Sequence, residues 1–202
     1  MITPIFIKKL IIHLISLPHY CFRLLTSEIS IVSRMSVVVF QFFPFVPYKW
    51  LFSIGHKNYP QYHYSVFHAA NLARQLNYKA ISVFEFGCAR GKGLLALEQI
   101  SKKVKRELNI DVQVYGFDTG EGLPNPKGYK DLTYHWKKGD FRMNKSKLIL
   151  KSSTLVLGNI DDTKTDFFSK HKPAPVGAIF FDFDYYSSTK SGMDLLTHKE
   201  IN

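Results

Sequence analysis

The stretch VFEFGCARGKGLLALE, Val83–Glu98, connects a short apolar run to an amphipathic pattern through a turn that contains three glycines. The run at 81–86 is closed by Gly87 and predicts a buried strand. Beyond the turn, apolar residues at helical spacing mark one face of a helix: Leu94, Leu97, Ile100, Val104 and Leu108. Glycine between a strand and a helix lets the backbone approach a ligand closely, so this turn is the first candidate site.

The alternation of strands and helices continues on both sides of this stretch. The predicted helices lie at 62–77 and 165–171, and the predicted strands follow at 111–118, 153–158 and 177–184. A hydroxyl of Ser187, Ser188 or Thr189 is expected to cap a last helix. Strands that alternate with helices predict an α/β fold with a parallel sheet and helices on both faces.

Composition limits the class of protein but decides little else. The chain has 202 residues, of which 15% are aromatic, and 202 residues can bury the core of one domain. Cys21 and Cys88 are the only cysteines, so neither a disulfide framework nor a cysteine zinc site is indicated, and a cytoplasmic location is expected. The net charge of +11 allows a nucleic-acid or membrane partner. No RNA-binding signature accompanies it, so no nucleic-acid partner is expected.

Residues 1–60 differ from the rest and are predicted to be an apolar helical N-terminal segment, followed by the α/β domain at 61–202. Glu28 is the only acid in 1–53, and the longest uncharged stretch, Met35–Tyr48, has 14 residues. About 20 apolar residues are needed to span a bilayer as a helix, so a membrane-spanning helix is not indicated. Helices that pack on the domain are favoured, and peripheral membrane contact through 1–53 is the alternative.

The glycine turn fits neither of two well-known phosphate-binding patterns. A P-loop needs four residues between its first glycine and Gly-Lys, followed by Ser or Thr, whereas only three separate Gly87 from Gly91 and Gly93 replaces the hydroxyl. A G-x-G-x-x-G dinucleotide fingerprint is also unmet, because Ala89 holds the second glycine position. What remains is E-x-G-x-A-x-G, starting at Glu85, or a glycine turn with no ligand at all.

Two acids, Asp182 and Asp184, occur in FFDFDYYSST, Phe180–Thr189, at the end of the last predicted strand. If this segment is a strand, residues two apart face the same side. Burial of a carboxylate without a partner is costly, so these acids are expected at the strand end, or else to bind loop amides or the next helix.

Four stretches together resemble a family of bacterial class I S-adenosylmethionine-dependent methyltransferases related to the macrocin O-methyltransferase group. The resemblance covers about 60–195 and rests on VFEFGCARGKGLLALE, VYGFDTGEGLP, YHWKKGDFRM with LVLGNIDDT, and APVGAIFFDFDYYSSTKSG. It implies a Rossmann-like methyltransferase sheet and S-adenosyl-L-methionine as cofactor. Residues 1–53 lie outside it.

The resemblance also implies roles for individual residues. Four would line the methionine and ribose part of the cofactor: Glu85, Gly87, Ala89 and Gly91. Asp118 would bind the ribose, and Asn159 with Ile160 the adenine, although Asn159 departs from the acid that is usual there. Asp182 would be a metal ligand, with Mg²⁺ as the expected ion, and Asp184 a general base. A hard cation prefers oxygen ligands and lowers the pKa of a bound hydroxyl, which suits a sugar nucleophile.

The family pattern continues with further strands and an Asp-Asp pair that supplies metal ligands, and this chain has no match for them. We therefore expect a C-terminally truncated domain in which the fourth strand is the edge of the sheet. Three functions follow as hypotheses. The first is an O-methyltransferase for a small or glycosyl acceptor. The alternatives are an inactive cofactor-binding remnant and, less favoured, an RNA methyltransferase.

Overall fold

The computed structural model describes residues 59–197. The predicted apolar segment 1–60 lies outside the described residues except for its last two positions. Its boundary with the α/β domain therefore stays a prediction, and so does truncation of the domain. None of the helices within 59–197 combines the length and apolar character needed to cross a membrane.

Four parallel strands form one sheet in the order β3-β2-β1-β4. The strands are β1 Ala80–Phe86, β2 Asp111–Asp118, β3 Ser153–Leu157 and β4 Val176–Phe181. The central strand β1 is almost wholly buried, because it has a neighbour on each side and helices over it. Among the described strands β4 pairs only with β1.

Consecutive parallel strands need a crossover connection, because the chain must return to the end of the sheet where the next strand begins. Helices supply this connection between β1 and β2 and between β3 and β4. The helices are α1 Pro60–Gln75, α2 Lys92–Leu108, α3 Ile160–Thr163, α4 Phe167–His171 and α5 Tyr186–Leu196, with a 3₁₀ turn at Tyr129–Asp131. The predicted alternation of strands and helices is confirmed.

Aromatic rings fill the core between the sheet and the helices on one face. Phe84 of β1 meets the ring of Phe167 of α4 edge to face, with centroids 5.3 Å apart. Phe86 and Phe117 pack side by side at 4.7 Å on adjacent strands. Edge-to-face and offset pairs add to the gain from apolar burial, so this cluster fixes the sheet against α4.

Three local predictions were wrong. The predicted strand 177–184 ends at Phe181, so Asp182 and Asp184 stand in the loop that follows β4. The second error concerns the first predicted helix, 62–77, which runs from Pro60 to Gln75. The short helix α3 had no prediction at all.

The third error concerns the cap of α5. Tyr185 is the N-cap residue and makes no side-chain capping bond, so neither Ser187, Ser188 nor Thr189 has that role. The capping acceptor comes instead from Asp131, far away in the chain. Its carboxylate accepts the N–H and the hydroxyl of Ser187, each at 2.8 Å.

The segment between β2 and β3, residues 119–152, is long but attached at several points. The buried Glu98 of α2 accepts the backbone N–H groups of Lys151, Ser152 and Ser153 and the Ser153 hydroxyl, all through Oε1, at 2.7–2.9 Å. Asp131 also accepts the N–H of Lys127 at 2.7 Å. Burial alone would raise the pKa of Glu98, but these hydrogen bonds outweigh it and lower that pKa.

We expect Glu98→Gln to lower the free energy of unfolding by about 1–3 kcal/mol, because a neutral amide oxygen replaces the buried carboxylate that accepts four charge-assisted hydrogen bonds. Urea unfolding followed by circular dichroism measures the change. Glu107→Gln, at an exposed position of the same helix, is the matched control and should leave stability nearly unchanged. Equal effects of the two substitutions would contradict the role of Glu98.

Candidate functional site

A cavity opens at the carboxyl ends of the strands, where ligands bind in open α/β sheets. It encloses about 850 Å³ of empty space, the open mouth included. Its walls come from the loops after all four strands: Gly87 and Ala89 after β1, Asp118 and Thr119 at the end of β2, Gly158, Asn159 and Ile160 after β3, and Asp182 to Tyr185 after β4. The segment 119–152 closes one side.

The glycine turn after β1 passes directly against the end of β4. Gly87 has a φ of +85°, and a Cβ at this position would lie 2.5 Å from the backbone oxygen of Asp182. The Asp182 N–H donates to the Phe86 carbonyl at 2.8 Å, which extends the pairing just beyond the strand. A residue with a side chain at position 87 would push the two loops apart.

Asp118 holds the same turn from the other side. Its Oδ2 accepts the N–H groups of Cys88 and Ala89 at 2.9 Å each, and its Oδ1 accepts that of Gly120 at 2.6 Å. A carboxylate offers about four lone-pair positions, so one remains, on Oδ1. Asp118, the residue predicted to bind the ribose, therefore lines the cavity and already accepts hydrogen bonds from the backbone around it.

The two acids of FFDFDYYSST both line the cavity, although a loop and not a strand brings them there. Asp182 is exposed and Asp184 is partly buried. Burial raises the pKa of Asp184, and the charge of Asp182 raises it further. Asp140 reaches the same cavity from the segment 119–152.

The predicted adenine contacts also meet at the cavity wall. Asn159 is the N-cap of α3, and its side-chain oxygen accepts the Asp161 N–H at 3.1 Å. That oxygen therefore already has a local partner. Ile160 is buried and gives this side of the cavity an apolar surface.

Seven of the nine predicted site residues line the cavity, and Glu85 and Gly91 do not. Gly91 is the N-cap of α2, and a Cβ there would meet the side chain of Leu148 at 2.5 Å. Glu85 is buried, and its Oε1 accepts the hydroxyl of Tyr62 at 2.7 Å. Glu85 and Gly91 therefore contact the protein interior next to the turn and do not face the cavity.

Glu85 is an unusual acid because its second oxygen, Oε2, has no hydrogen-bond partner in the described part of the chain. A Cβ on Gly93 would lie 1.7 Å from Oε1, so α2 approaches this carboxyl closely. Burial raises the pKa of Glu85 to about 7; the Tyr62 hydrogen bond opposes this, and the charges of Asp182 and Asp118 add to it.

Among the cavity residues that sequence reasoning did not single out are Tyr185 and Asp140. Tyr185 lines the cavity, and its buried hydroxyl has no hydrogen-bond partner among residues 59–197. Because Tyr185 directly follows Asp184 and precedes a predicted helix, the sequence could have indicated it as a site residue. Asp140 carried no such signal, because it reaches the cavity from an irregular segment.

Residues 59–197 contain no cluster of three or more His, Cys, Asp or Glu side chains able to hold a metal ion. Asp182 is thus not part of such a cluster in this part of the chain. The described residues do not fit the expected metal.

Comparison with known proteins shows the fold. No protein-family model matches the chain, and no curated protein does. The crystal structure of CalS11, described as a calicheamicin methyltransferase, aligns with a TM-score of 0.51 and 15% identity over 96% of this chain and 74% of that one. An apo structure of CalS11, described as a TDP-rhamnose 3'-O-methyltransferase, aligns with a TM-score of 0.41 and 16% identity over 84% and 73%. The first of these alignments shows that the four-stranded parallel sheet with its helices has the Rossmann-like fold of that methyltransferase structure.

We expect the free energy of unfolding to fall as the pH rises from about 4.5 to about 7. In that window the unfolded Glu85 carboxyl ionises near its ordinary pKa, while the buried one keeps its proton until about 7. Urea unfolding at a series of pH values measures the slope. Glu85→Gln should flatten it, whereas Glu107→Gln should not. A wild-type slope equal to that of Glu85→Gln would contradict the raised pKa.

Proposed function

We propose that the chain is an S-adenosyl-L-methionine-dependent methyltransferase that methylates an oxygen atom of a small or glycosyl acceptor. The observation that carries the proposal is one cavity at the carboxyl ends of the strands. There the glycine turn, Asp118, the Asn159–Ile160 pair and the two acids after β4 lie together. The Rossmann-like methyltransferase fold supports it.

The cofactor would lie across the ends of β1, β2 and β3. Its methionine part would follow the turn at Gly87 and Ala89, where a close backbone approach is possible. A ribose hydroxyl would donate to the remaining lone pair on Asp118 Oδ1. The adenine would contact Ile160 and the side chain of Asn159.

Asp184 would act as the base. In the transfer, the acceptor hydroxyl gives its proton to the Asp184 carboxylate and its oxygen bonds to the methyl carbon. The carbon–sulfur bond would break as the new carbon–oxygen bond forms, and its electron pair would stay on sulfur, so that the sulfonium would become the neutral thioether of S-adenosylhomocysteine. The raised pKa of Asp184 favours this role, because a base works best when its pKa approaches the working pH.

A cofactor-binding remnant without turnover is the second candidate. The described residues supply no set of three metal ligands, which favours it. Mg²⁺ stays a prediction that these residues do not support, and the transfer above involves no metal.

We expect the wild-type chain to bind S-adenosylhomocysteine and Asp118→Asn to bind it roughly 10- to 100-fold more weakly. The substitution removes a charge and turns part of the acceptor surface into a donor that faces the N–H groups of the turn. Isothermal titration calorimetry measures both affinities. Asp162→Asn, on the exposed side of α3, is the control. No heat with wild type contradicts the cofactor cavity, and an unchanged affinity of Asp118→Asn contradicts its role alone.

Asp184→Asn should keep the affinity for S-adenosylhomocysteine and lower methyl transfer by roughly 10²- to 10⁴-fold, since only the proton acceptor is lost. The assay follows the labelled methyl group of S-adenosylmethionine into glycosyl acceptors. TDP-rhamnose, the sugar in the description of CalS11, is a rational first choice. Cofactor binding without transfer to any acceptor in wild type favours the remnant. Transfer to RNA that weakens steeply with salt favours the RNA methyltransferase.

A further inference from the structure

Residues 127–151, here called the basic loop, carry much of the positive charge of the chain. They contain seven lysines and one arginine against two acids, a net +6 of the chain's total of +11. Within these 25 residues the structure has only the short turn Tyr129–Asp131 as regular secondary structure. Irregular segments of this length in a folded domain are uncommon and are often binding elements.

Large apolar side chains of the basic loop point into solvent. The exposed fractions of Tyr129, Tyr134 and Ile149 are 82%, 84% and 72%. Leu132 and Phe141 are exposed as well. Single exposed apolar residues are ordinary, but several of them interleaved with lysines in one loop suggest a contact surface.

Six of the seven lysines of the basic loop divide into two groups, and the seventh, Lys130, places its Nζ 4.7 Å from the ring centroid of Tyr186. Lys127 pairs with Asp161, and Lys145 pairs with Glu121. Among residues 59–197 four others have no ion-pair partner: Lys137, Lys138, Lys147 and Lys151. The second group leaves a positive surface with no acid of the described chain to neutralise it.

The basic loop is also preformed. Glu98 holds its carboxyl end and Asp131 its amino end, as described above. In its middle, the Gly139 N–H donates to the Leu123 carbonyl at 2.9 Å, and the Leu123 N–H donates to the Asp140 carbonyl at 2.9 Å. A partner would therefore meet an ordered surface and little ordering entropy would be lost on binding.

We propose that the basic loop docks the protein on anionic lipid membranes, a role beyond the proposed methyl transfer and independent of it. Lysines beside exposed tyrosines and aliphatic side chains match a lipid interface, where ammonium groups meet headgroups and amphipathic rings lie at their level. Tyr129 and Tyr134 could also stack on bases, so the choice against nucleic acid rests on Arg142, which is paired with Glu121, and on the exposed Ile149, which offers no ring. The apolar sequence of residues 1–53, with one acid, is compatible with the same partner.

The test is sedimentation of the full chain with vesicles of equal parts phosphatidylcholine and phosphatidylglycerol, and with vesicles of phosphatidylcholine alone. We expect binding only to the anionic vesicles. The triple variant Lys137→Gln, Lys138→Gln, Lys147→Gln should lower the partition coefficient roughly 100-fold, since each lysine at such a surface contributes roughly fivefold. The matched control replaces Lys79, Lys102 and Lys170, three exposed lysines outside the basic loop, with Gln and should bind like wild type.

Tyr134→Ser in the wild-type background tests the contribution of the aromatic side chains. It should weaken the part of the vesicle binding that remains at high salt, where charge attraction is screened. Each other result overturns the proposal. Absence of vesicle binding by wild type removes it directly. Equal losses in the two triple variants indicate a general effect of net charge. Undiminished binding by the basic-loop variant assigns the membrane contact to another segment, such as residues 1–53. Binding to polyuridylate without binding to vesicles identifies a nucleic-acid surface.

Discussion

The carboxylate of Asp118 is the contact on which the cavity depends, because it ties the glycine turn after β1 to the end of β2. Three backbone N–H groups donate to it, and the turn it holds presses Gly87 against the backbone of Asp182. The loops after β1, β2 and β4 are thereby fixed relative to one another. A ribose with two hydroxyl donors would find only one free lone pair there, so a bidentate contact requires the turn to give up one of its amides.

The sequence predicted what depends on local pattern. The strand at 111–118 was predicted with the bounds that the structure shows, since it is a short apolar run closed by an acid and a polar loop. The end of β4 was misplaced because Asp182 leaves the strand while its N–H still bonds to Phe86. The hydrogen-bond partner of Glu85 could not be predicted from its motif, because Tyr62 is 23 residues away on a helix that the motif does not include.

The direction in which the pKa of each buried acid shifts depends on the number of hydrogen-bond donors around its carboxylate. Asp131 and Glu98 each accept several hydrogen bonds, and these outweigh burial and lower their pKa values. Among the described residues Glu85 meets the Tyr62 hydroxyl and, with a smaller effect, Cys88, so burial prevails and its pKa rises. In the sequence Glu85 and Glu98 stand beside apolar residues and Asp131 stands in a polar segment, and neither context reveals the donors. Only the folded chain shows how many N–H and O–H groups converge on each acid, and that number separates a structural anchor from a group that titrates near neutral pH.

The basic loop and the candidate site share a boundary, because Asp140 and Phe141 belong to the loop and also line the cavity. Phe141 is exposed as well, so one side chain contacts both the cavity and the surface proposed to meet lipid. If the basic loop lies on an anionic bilayer, the cavity wall that it forms lies next to the headgroups. An acceptor whose hydroxyl is held at the lipid surface would then reach Asp184 without first dissociating into solvent. A sugar that is free in solution would gain no advantage from that placement. The two proposals together therefore favour a membrane-borne acceptor, and a preference for such acceptors only in the presence of anionic vesicles would tie the docking surface to the chemistry.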